Sequence, residues 1–286
     1  MAINGNDLFK RICAGAIYIG ITGACTFISW WSCVVCMGVT AAICCHEFLQ
    51  MAKREGFKPF VLLGTIAAGV IPISMLADTY GVHIIAWPLG VSFVAAVVIL
   101  LLFVRHIERT GVDVALTIFG FLYCAFPLAA FALIRLHLHG FEGGLMCVLI
   151  LLSVWMNDVF AYLGGSAFGK HKFAPKISPK KTWEGIIFGM VGSMLFWLLI
   201  PLFCPDCGFG YVWAALSGLV CGAVGIMGDL TESRFKRSFN VKDSGNLMPG
   251  HGGLLDRSDS LLFVSVVAYL LVVAAPYASA FVGIAL

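Results

Sequence analysis

Long apolar runs separated by short polar segments dominate the chain. A helix that spans a membrane needs about 20 mostly apolar residues, because the hydrocarbon core of a bilayer is roughly 30 Å thick. By this criterion the pattern predicts about nine spanning helices, at residues 12–29, 31–51, 60–78, 82–104, 112–134, 143–163, 185–204, 211–229 and 260–282. The predicted fold class is therefore all-α, a polytopic membrane protein.

Composition supports this class. Of the 286 residues, 60% are apolar and 12% are charged, whereas a soluble domain carries roughly 25% charged residues. These values exclude a soluble enzyme, a disordered chain and a coiled coil. The 11 Cys residues lie mostly inside apolar runs, which indicates small buried hydrophobic residues rather than a disulfide framework.

The distribution of Lys and Arg predicts the orientation, since these residues concentrate in cytoplasmic loops. With the N-terminus in the cytoplasm, the alternating loops place 17 of the 18 Lys and Arg residues on the inner side and Arg135 on the outer side. One missed or additional helix would scramble this asymmetry. We therefore expect a cytoplasmic N-terminus, an outer C-terminus and a location in the cell (inner) membrane.

Polar chemistry concentrates in the C-terminal half of the chain. We interpret residues 1–140 as a scaffold of transmembrane helices, and residues 141–286 as the part that carries two cytoplasmic catalytic loops, 164–183 and 230–259. Outside these loops, Cys45-His46-Glu47 is interpreted as interfacial packing that could support a site. The outer Cys204-Pro-Asp-Cys207 sequence is interpreted as a turn at a helix end.

The first loop is basic, with five Lys and no acid between Gly164 and Trp183. On charge alone, lysines that contact lipid headgroups explain it equally well. A polyphosphate site is favoured by the loop's glycines, by hydroxyls at helix-capping positions and by the free N–H groups at the start of the seventh helix. The candidate phosphate-binding residues are Lys170, Lys172, Ser178, Lys180, Lys181 and Thr182.

The second loop mixes the two signs of charge, with five acids and five Lys or Arg residues between positions 229 and 259. Carboxylates bind hard divalent cations, and Lys and Arg bind phosphate oxygens. This composition favours a metal–polyphosphate site over its structural alternative, a set of interfacial salt bridges.

Four acids are predicted at inner helix ends. Asp158 is expected to close the sixth helix and Asp229 the eighth, while Asp256 and Asp259 are expected to precede the ninth. A carboxylate deep in a bilayer costs roughly 2.5–3.5 kcal/mol, and such residues are usually functional. We predict Asp229 and Asp256 as the pair of metal ligands; Asp259 has Arg257 or Lys236 as alternative partners.

A long and specific pattern runs through the second loop. It consists of Ser233-x-Phe235-Lys236-Arg237, Lys242-Asp243-x-Gly245 and Pro249-x-His251-Gly252-Gly253-Leu254-x-Asp256-Arg257-x-Asp259. This pattern resembles the signature of the phosphatidate cytidylyltransferase family. The resemblance is strong over about 155–265 and includes Phe168-Gly169-Lys170 and Ser178-Pro179-x-Lys181-Thr182 of the first loop. Ser258 departs from it by adding a hydroxyl where the family has an apolar residue.

The resemblance implies an enzyme that makes CDP-diacylglycerol and pyrophosphate from CTP and phosphatidic acid. It also implies Mg²⁺ with a second cation, contact with membrane lipid and a homodimer; no nucleic acid is expected. Within this chemistry the predicted catalytic residues are Asp229, Asp256, Lys236, Arg237 and Arg257. Ser233, Lys242 and His251 join the first-loop residues as substrate-binding candidates, and Asp158 and Asp243 are further metal candidates.

Two other classes of protein remain possible from the residues alone. A transporter or channel would use Asp158 and Asp229 as ion relay groups, but this hypothesis does not explain the block from His251 to Arg257. A related membrane enzyme is the other class. A CTP-dependent polyprenol kinase would release CDP rather than pyrophosphate, and a CDP-alcohol phosphotransferase should carry a DG…AR…G…D…D spacing that the chain lacks.

Overall fold

The computed structural model describes residues 5–76, 86–106, 108–138, 140–175, 177–248 and 252–282. The helices in this part are α1 Gly5–Ile28, α2 Trp30–Arg54, α3 Val61–Ile73, α4 Ala86–Arg105, α5 Gly111–His137, α6 Gly140–Phe168, α7 Trp183–Trp197, α8 Leu199–Phe203, α9 Tyr211–Ser238 and α10 Leu255–Val282. Two short strands, β1 Lys172–Ala174 and β2 Ser178–Thr182, lie between α6 and α7.

Within the described residues, each predicted apolar run lies mainly in helix, which confirms the all-α polytopic class; residues 77–78 and 82–85 of the predicted runs lie outside the described part. Among the described residues, six segments are long and apolar enough to cross a membrane: Trp30–Arg54, Gly111–His137, Gly140–Phe168, Trp183–Phe203, Tyr211–Ser238 and Leu255–Tyr277. Three shorter apolar segments, Gly15–Ile28, Val61–Leu76 and Pro88–Val104, correspond to the remaining predicted runs. The orientation stays a prediction.

The chain forms two compact units that alternate along the sequence. Unit 1 comprises Met1–Cys25, Trp31–Ala132 and Phe235–Ser258. Unit 2 comprises Thr26–Trp30, Leu133–Arg234 and Asp259–Leu286.

Unit 1 contains a cluster of aromatic rings around Phe48 of α2, which is 1% exposed. The Phe48 ring lies 5.7 Å from that of Phe119 and 5.9 Å from that of Tyr123, both on α5. It also lies 5.5 Å from the Phe235 ring and 5.8 Å from the Phe239 ring. Aromatic pairs at these distances are worth about 0.5–1.5 kcal/mol beyond the area they bury. The cluster therefore fixes the start of the 235–258 segment against α2 and α5.

Unit 2 depends on close packing of α7 against α6 and α9. Trp197 of α7 is fully buried, and its indole Nε1 donates a hydrogen bond to Ser153 Oγ of α6 at 3.2 Å. On α9, a Cβ atom at Gly218 would lie 2.5 Å from the Met194 Cα, and one at Gly222 would lie 2.8 Å from the Met190 Cα. Small residues four apart allow membrane helices to approach in this way.

The helices extend further than the apolar runs. Helix α6 continues to Phe168, α9 continues to Ser238, and α10 begins at Leu255. Residues 164–168, 230–238 and 255–259 are therefore helical, although we predicted them as loop. Hydropathy marks only the apolar part of a helix, whereas polar residues at its ends continue the same backbone hydrogen bonds.

The remainder of the first loop forms an antiparallel hairpin in which Lys172 is opposite Thr182 and Ala174 is opposite Ser178. On the predicted outer side, Pro205–Cys207 forms a 3₁₀ turn after α8, as we expected. Cys204 and Cys207 are free thiols. Burial raises the pKa of the Cys207 thiol to about 12, so this thiol stays protonated at neutral pH.

Replacing Gly218 by Ala should destabilise unit 2, because the added methyl group overlaps the α7 backbone. Overpacking of this kind typically costs about 1–3 kcal/mol, which thermal unfolding of the detergent-solubilised protein would detect as a lower midpoint. Gly20→Ala is the matched control, since a Cβ there meets no atom within 4 Å. An equal loss of stability in both variants would contradict the packing argument.

Candidate active site

Asp256 organises the 235–258 segment of unit 1. Its Oδ1 atom forms a 2.6 Å ion pair with the Lys236 ammonium. Its Oδ2 atom accepts hydrogen bonds from the Ser244 N–H at 2.9 Å, the Ser244 hydroxyl at 2.9 Å and the Gly253 N–H at 2.7 Å. Only 5% of the Asp256 side chain and 13% of the Lys236 side chain are exposed. The carboxylate therefore connects the end of α9, the middle of the segment and the start of α10.

A second carboxylate, Glu47 of α2, supports the same segment. It is 7% exposed, and it accepts hydrogen bonds from the Leu254 N–H at 3.0 Å and the Leu255 N–H at 2.8 Å. The Ser244 hydroxyl lies 3.2 Å from its Oε2 atom. The first N–H groups of a helix have no partner within that helix, so Glu47 caps α10 from another element. We had interpreted this residue as interfacial packing; a carboxylate near the end of an apolar run was the signal for a larger role.

The glycines of the motif allow these carboxylates to approach the backbone. A Cβ atom at Gly245 would lie 2.5 Å from Glu47 Oε1, and one at Gly253 would overlap both the Ser244 hydroxyl and the Glu47 carboxylate. Gly252 has a φ of +86°, a conformation that favours glycine. The glycine-rich sequence is thus required for packing around Glu47 and Asp256.

The other predicted residues of this segment have different environments. Arg237, Lys242, Asp243 and Arg257 are exposed. Ser258, the departure from the motif, is buried and its hydroxyl lies 3.2 Å from the Tyr18 hydroxyl of α1. His251 lies outside the described residues.

In unit 2 the structure brings together three residues that we predicted separately. The Lys181 ammonium of β2 lies 2.6 Å from Asp229 Oδ2 of α9. The Ser233 hydroxyl donates to Asp229 Oδ1 at 3.2 Å. The Lys181 side chain is 22% exposed and the Asp229 side chain 31%, so this pair remains accessible to a ligand.

The first loop contributes both capping and exposed charge. Thr182 is buried and accepts a hydrogen bond from the Gly185 N–H at 3.2 Å, so it caps α7 as predicted. Ser178 does not occupy a capping position, because it begins β2 and pairs with Ala174. The side chains of Lys170, Lys172 and Lys180 are exposed.

The expected positions of the acids at helix ends need correction. Asp158 does not close its helix, because α6 continues to Phe168, and Asp158 is exposed. Asp229 does not close its helix either, since α9 continues to Ser238. Asp256 and Asp259 do not precede α10 but lie within it, because α10 begins at Leu255; Asp256 lies in its first turn and Asp259 in its second.

The described residues contain no group of three or more His, Cys, Asp or Glu side chains that could hold a metal ion. The two predicted ligands differ in how well they fit a divalent cation. Asp229 offers partly exposed, hard oxygen atoms, which suit Mg²⁺. Both oxygens of Asp256 already accept from donors, so it fits a cation through Oδ1 only after Lys236 moves away.

Comparison with known proteins places these residues in a family. The model of the cytidylyltransferase family matches residues 9–275. A phosphatidate cytidylyltransferase of Thermotoga maritima is 31% identical over 271 residues, covering 93% of this chain and 96% of the relative. One from Synechocystis is 29% identical over 295 residues, covering 92% and 96%. An uncharacterized Escherichia coli protein, YnbB, is 42% identical over 153 residues, covering 52% and 50%. The chain therefore belongs to the cytidylyltransferase family.

Proposed function

We propose that the protein is a CTP:phosphatidate cytidylyltransferase, which makes CDP-diacylglycerol and pyrophosphate. The observation that carries this proposal is the 31% identity to the Thermotoga maritima phosphatidate cytidylyltransferase over nearly the full length of both chains. The substrates match an integral membrane enzyme, because phosphatidic acid keeps its acyl chains in lipid while CTP is water-soluble. We further propose the inner membrane as its location and a homodimer as its assembly.

In the proposed reaction, a phosphate oxygen of phosphatidic acid attacks the α-phosphorus of CTP. The bond to the β-phosphate breaks, and pyrophosphate leaves in line. The nucleophile is already an anion, so no serine or cysteine nucleophile is needed. The barrier is the repulsion and alignment of two anions, which fixed positive charges reduce.

The candidate residues supply the groups that this chemistry needs. Exposed cations, namely Lys170, Lys172, Lys180, Arg237, Lys242 and Arg257, are proposed to bind the triphosphate and the lipid phosphate. Lys181 and Lys236 are each held by an aspartate, which fixes their charge in place. Ser178, Thr182, Ser233 and His251 complete the proposed substrate-binding set.

Asp229 and Asp256 are each proposed as a Mg²⁺ ligand, and Asp158 and Asp243 are each proposed for a second cation or for the cytosine–ribose end. A bound Mg²⁺ would neutralise phosphate charge and orient the phosphates. Asp229 is the stronger candidate because its carboxylate is partly exposed. The ion pairs with Lys181 and Lys236 orient the two carboxylates before a substrate binds.

The direct experiment uses purified protein in phospholipid nanodiscs with labelled CTP, phosphatidic acid and Mg²⁺. We expect equal amounts of CDP-diacylglycerol and pyrophosphate. Release of CDP with a phosphorylated lipid would indicate a kinase and overturn the proposal. Absence of nucleotide turnover would also overturn the proposal, and flux of an ion or solute in sealed proteoliposomes would then indicate a transporter.

Asp229→Asn should reduce turnover about 10²-fold or more, a loss typical of removing one group that stabilises transition-state charge. It should also raise the Mg²⁺ concentration needed for half-maximal activity, which steady-state assays over a metal titration would measure. Asp206→Asn, an exposed site in the turn after α8, is the control. Normal activity of Asp229→Asn at ordinary Mg²⁺ would remove this residue from the site.

Lys181→Ala should raise the KM for CTP or lower kcat, because it removes a positive charge that Asp229 holds in position. A topology assay with a C-terminal reporter should show unchanged orientation. If orientation changed while the kinetic constants did not, the lysines of this loop would serve only to anchor it to lipid headgroups.

Glu47→Gln should lower kcat about tenfold. The glutamine amide would place an N–H₂ group against the donors at Ser244, Leu254 or Leu255. A buried group that is left without a partner costs about 1–3 kcal/mol. Glu55→Gln is the matched control, since Glu55 is exposed and accepts a hydrogen bond from Asn240 Nδ2 that a glutamine carbonyl can also accept. Equal kinetic constants for wild type and Glu47→Gln would refute a positioning role.

A further inference from the structure

Unit 1 contains a cavity of about 510 Å³ between α2, α3 and residues 244–247. Its volume falls within the roughly 300–1,000 Å³ typical of small-molecule sites. Ser244 and Gly245 belong to the family motif, and Ser244 also donates hydrogen bonds to Asp256. The cavity is therefore beside the predicted catalytic segment within the same unit, and the roles assigned so far do not use it.

The lining of the cavity changes in polarity along α2. Ala42 and Ile43 line the cavity at positions furthest from the C-terminal end of α2. His46 and Gln50 come next, and Arg54 is the last residue of the helix. At 1.5 Å per residue, Ile43 and Arg54 are about 16 Å apart along the helix axis. This change favours an occupant that is apolar at one end and anionic at the other.

Polar groups in the middle of the cavity come from both helices. Gln50 Nε2 lies 3.4 Å from His46 Nε2, and Thr65 Oγ1 of α3 lies 3.5 Å from His46 Nδ1. Glu47 also lines the cavity, but its oxygens accept from the Leu254 and Leu255 N–H groups and from Ser244. The Glu47 oxygens are thus already hydrogen-bonded within the 235–258 segment, while Arg54 is exposed.

We propose that this cavity binds the phosphatidic acid substrate. The phosphate lies at Arg54, the glycerol ester region lies beside His46 and Gln50, and the acyl chains enter past Ala42 and Ile43. CTP fits this cavity poorly, since a triphosphate carries several negative charges and Arg54 is the one Lys or Arg among the residues that line the cavity. This assignment rests on the proposed function and adds Arg54 to the cations proposed for the lipid phosphate.

The kinetic test compares Arg54→Gln with wild type in mixed micelles. We expect the KM for phosphatidic acid to rise about tenfold, as for loss of one charge-assisted hydrogen bond, while the KM for CTP stays within about twofold. Lys53→Gln is the matched control, because it removes the same charge one residue earlier on α2 and does not line this cavity. A rise in the KM for CTP alone, or equal effects of both variants, would overturn the assignment.

A second variant and a binding measurement keep this test independent of turnover. Ile43→Trp should fill the cavity and reduce retention of phosphatidic acid by the purified protein, as measured by native mass spectrometry, and Arg54→Gln should do the same. If wild type retained the lipid in an Arg54-dependent manner but made no CDP-diacylglycerol, the proposed function would fail and the site would stand. Equal retention by wild type and both variants would refute the site.

Discussion

The structure of the 235–258 segment depends on two carboxylates, Glu47 and Asp256. Both are largely buried, and they accept hydrogen bonds from backbone N–H and hydroxyl groups that have little access to water. Glu47 and Asp256 both accept from Ser244, and between them they accept the N–H groups of Gly253, Leu254 and Leu255. A buried donor without a partner costs about 1–3 kcal/mol, so these contacts hold the segment in one conformation. The buried glycines follow from this constraint, because side chains at these positions would displace the carboxylates.

Burial and hydrogen bonding also distinguish the two aspartates that we predict as metal ligands. Asp256 is nearly buried and is saturated with donors, whereas Asp229 is partly exposed and has one lysine and one serine as partners. Burial with full hydrogen bonding gives a residue that orders the chain around it. A partly exposed carboxylate beside a lysine, such as Asp229, can exchange that partner for a bound ligand. Of the two predicted metal ligands, Asp256 is thus suited to holding the chain in place and Asp229 to binding a ligand.

The residue types at the candidate site could be predicted from local sequence, whereas most of the contacts between them could not. The apolar runs placed the helices, and the interleaved charges and glycines identified the segments around Asp229 and Asp256. Helix ends were predicted too early, because hydropathy falls before the backbone hydrogen bonds stop. The hairpin at residues 172–182 was predicted as loop, since its lysine-rich strands have no alternating apolar pattern of the kind that predicts a strand.

The all-α membrane class, the positions of the apolar helices and the chemical character of the motif follow from the amino-acid sequence, because hydropathy and residue type are local properties. Which groups meet depends instead on the packing of elements that are distant in sequence. Glu47 reaches the Leu254 N–H across 207 residues of sequence, and a backbone N–H carries no residue-specific signal. Lys181 reaches Asp229 in the same way, from a strand to a helix. The cavity beside α2 likewise arises from the packing of separate elements, so it has no counterpart in the sequence pattern.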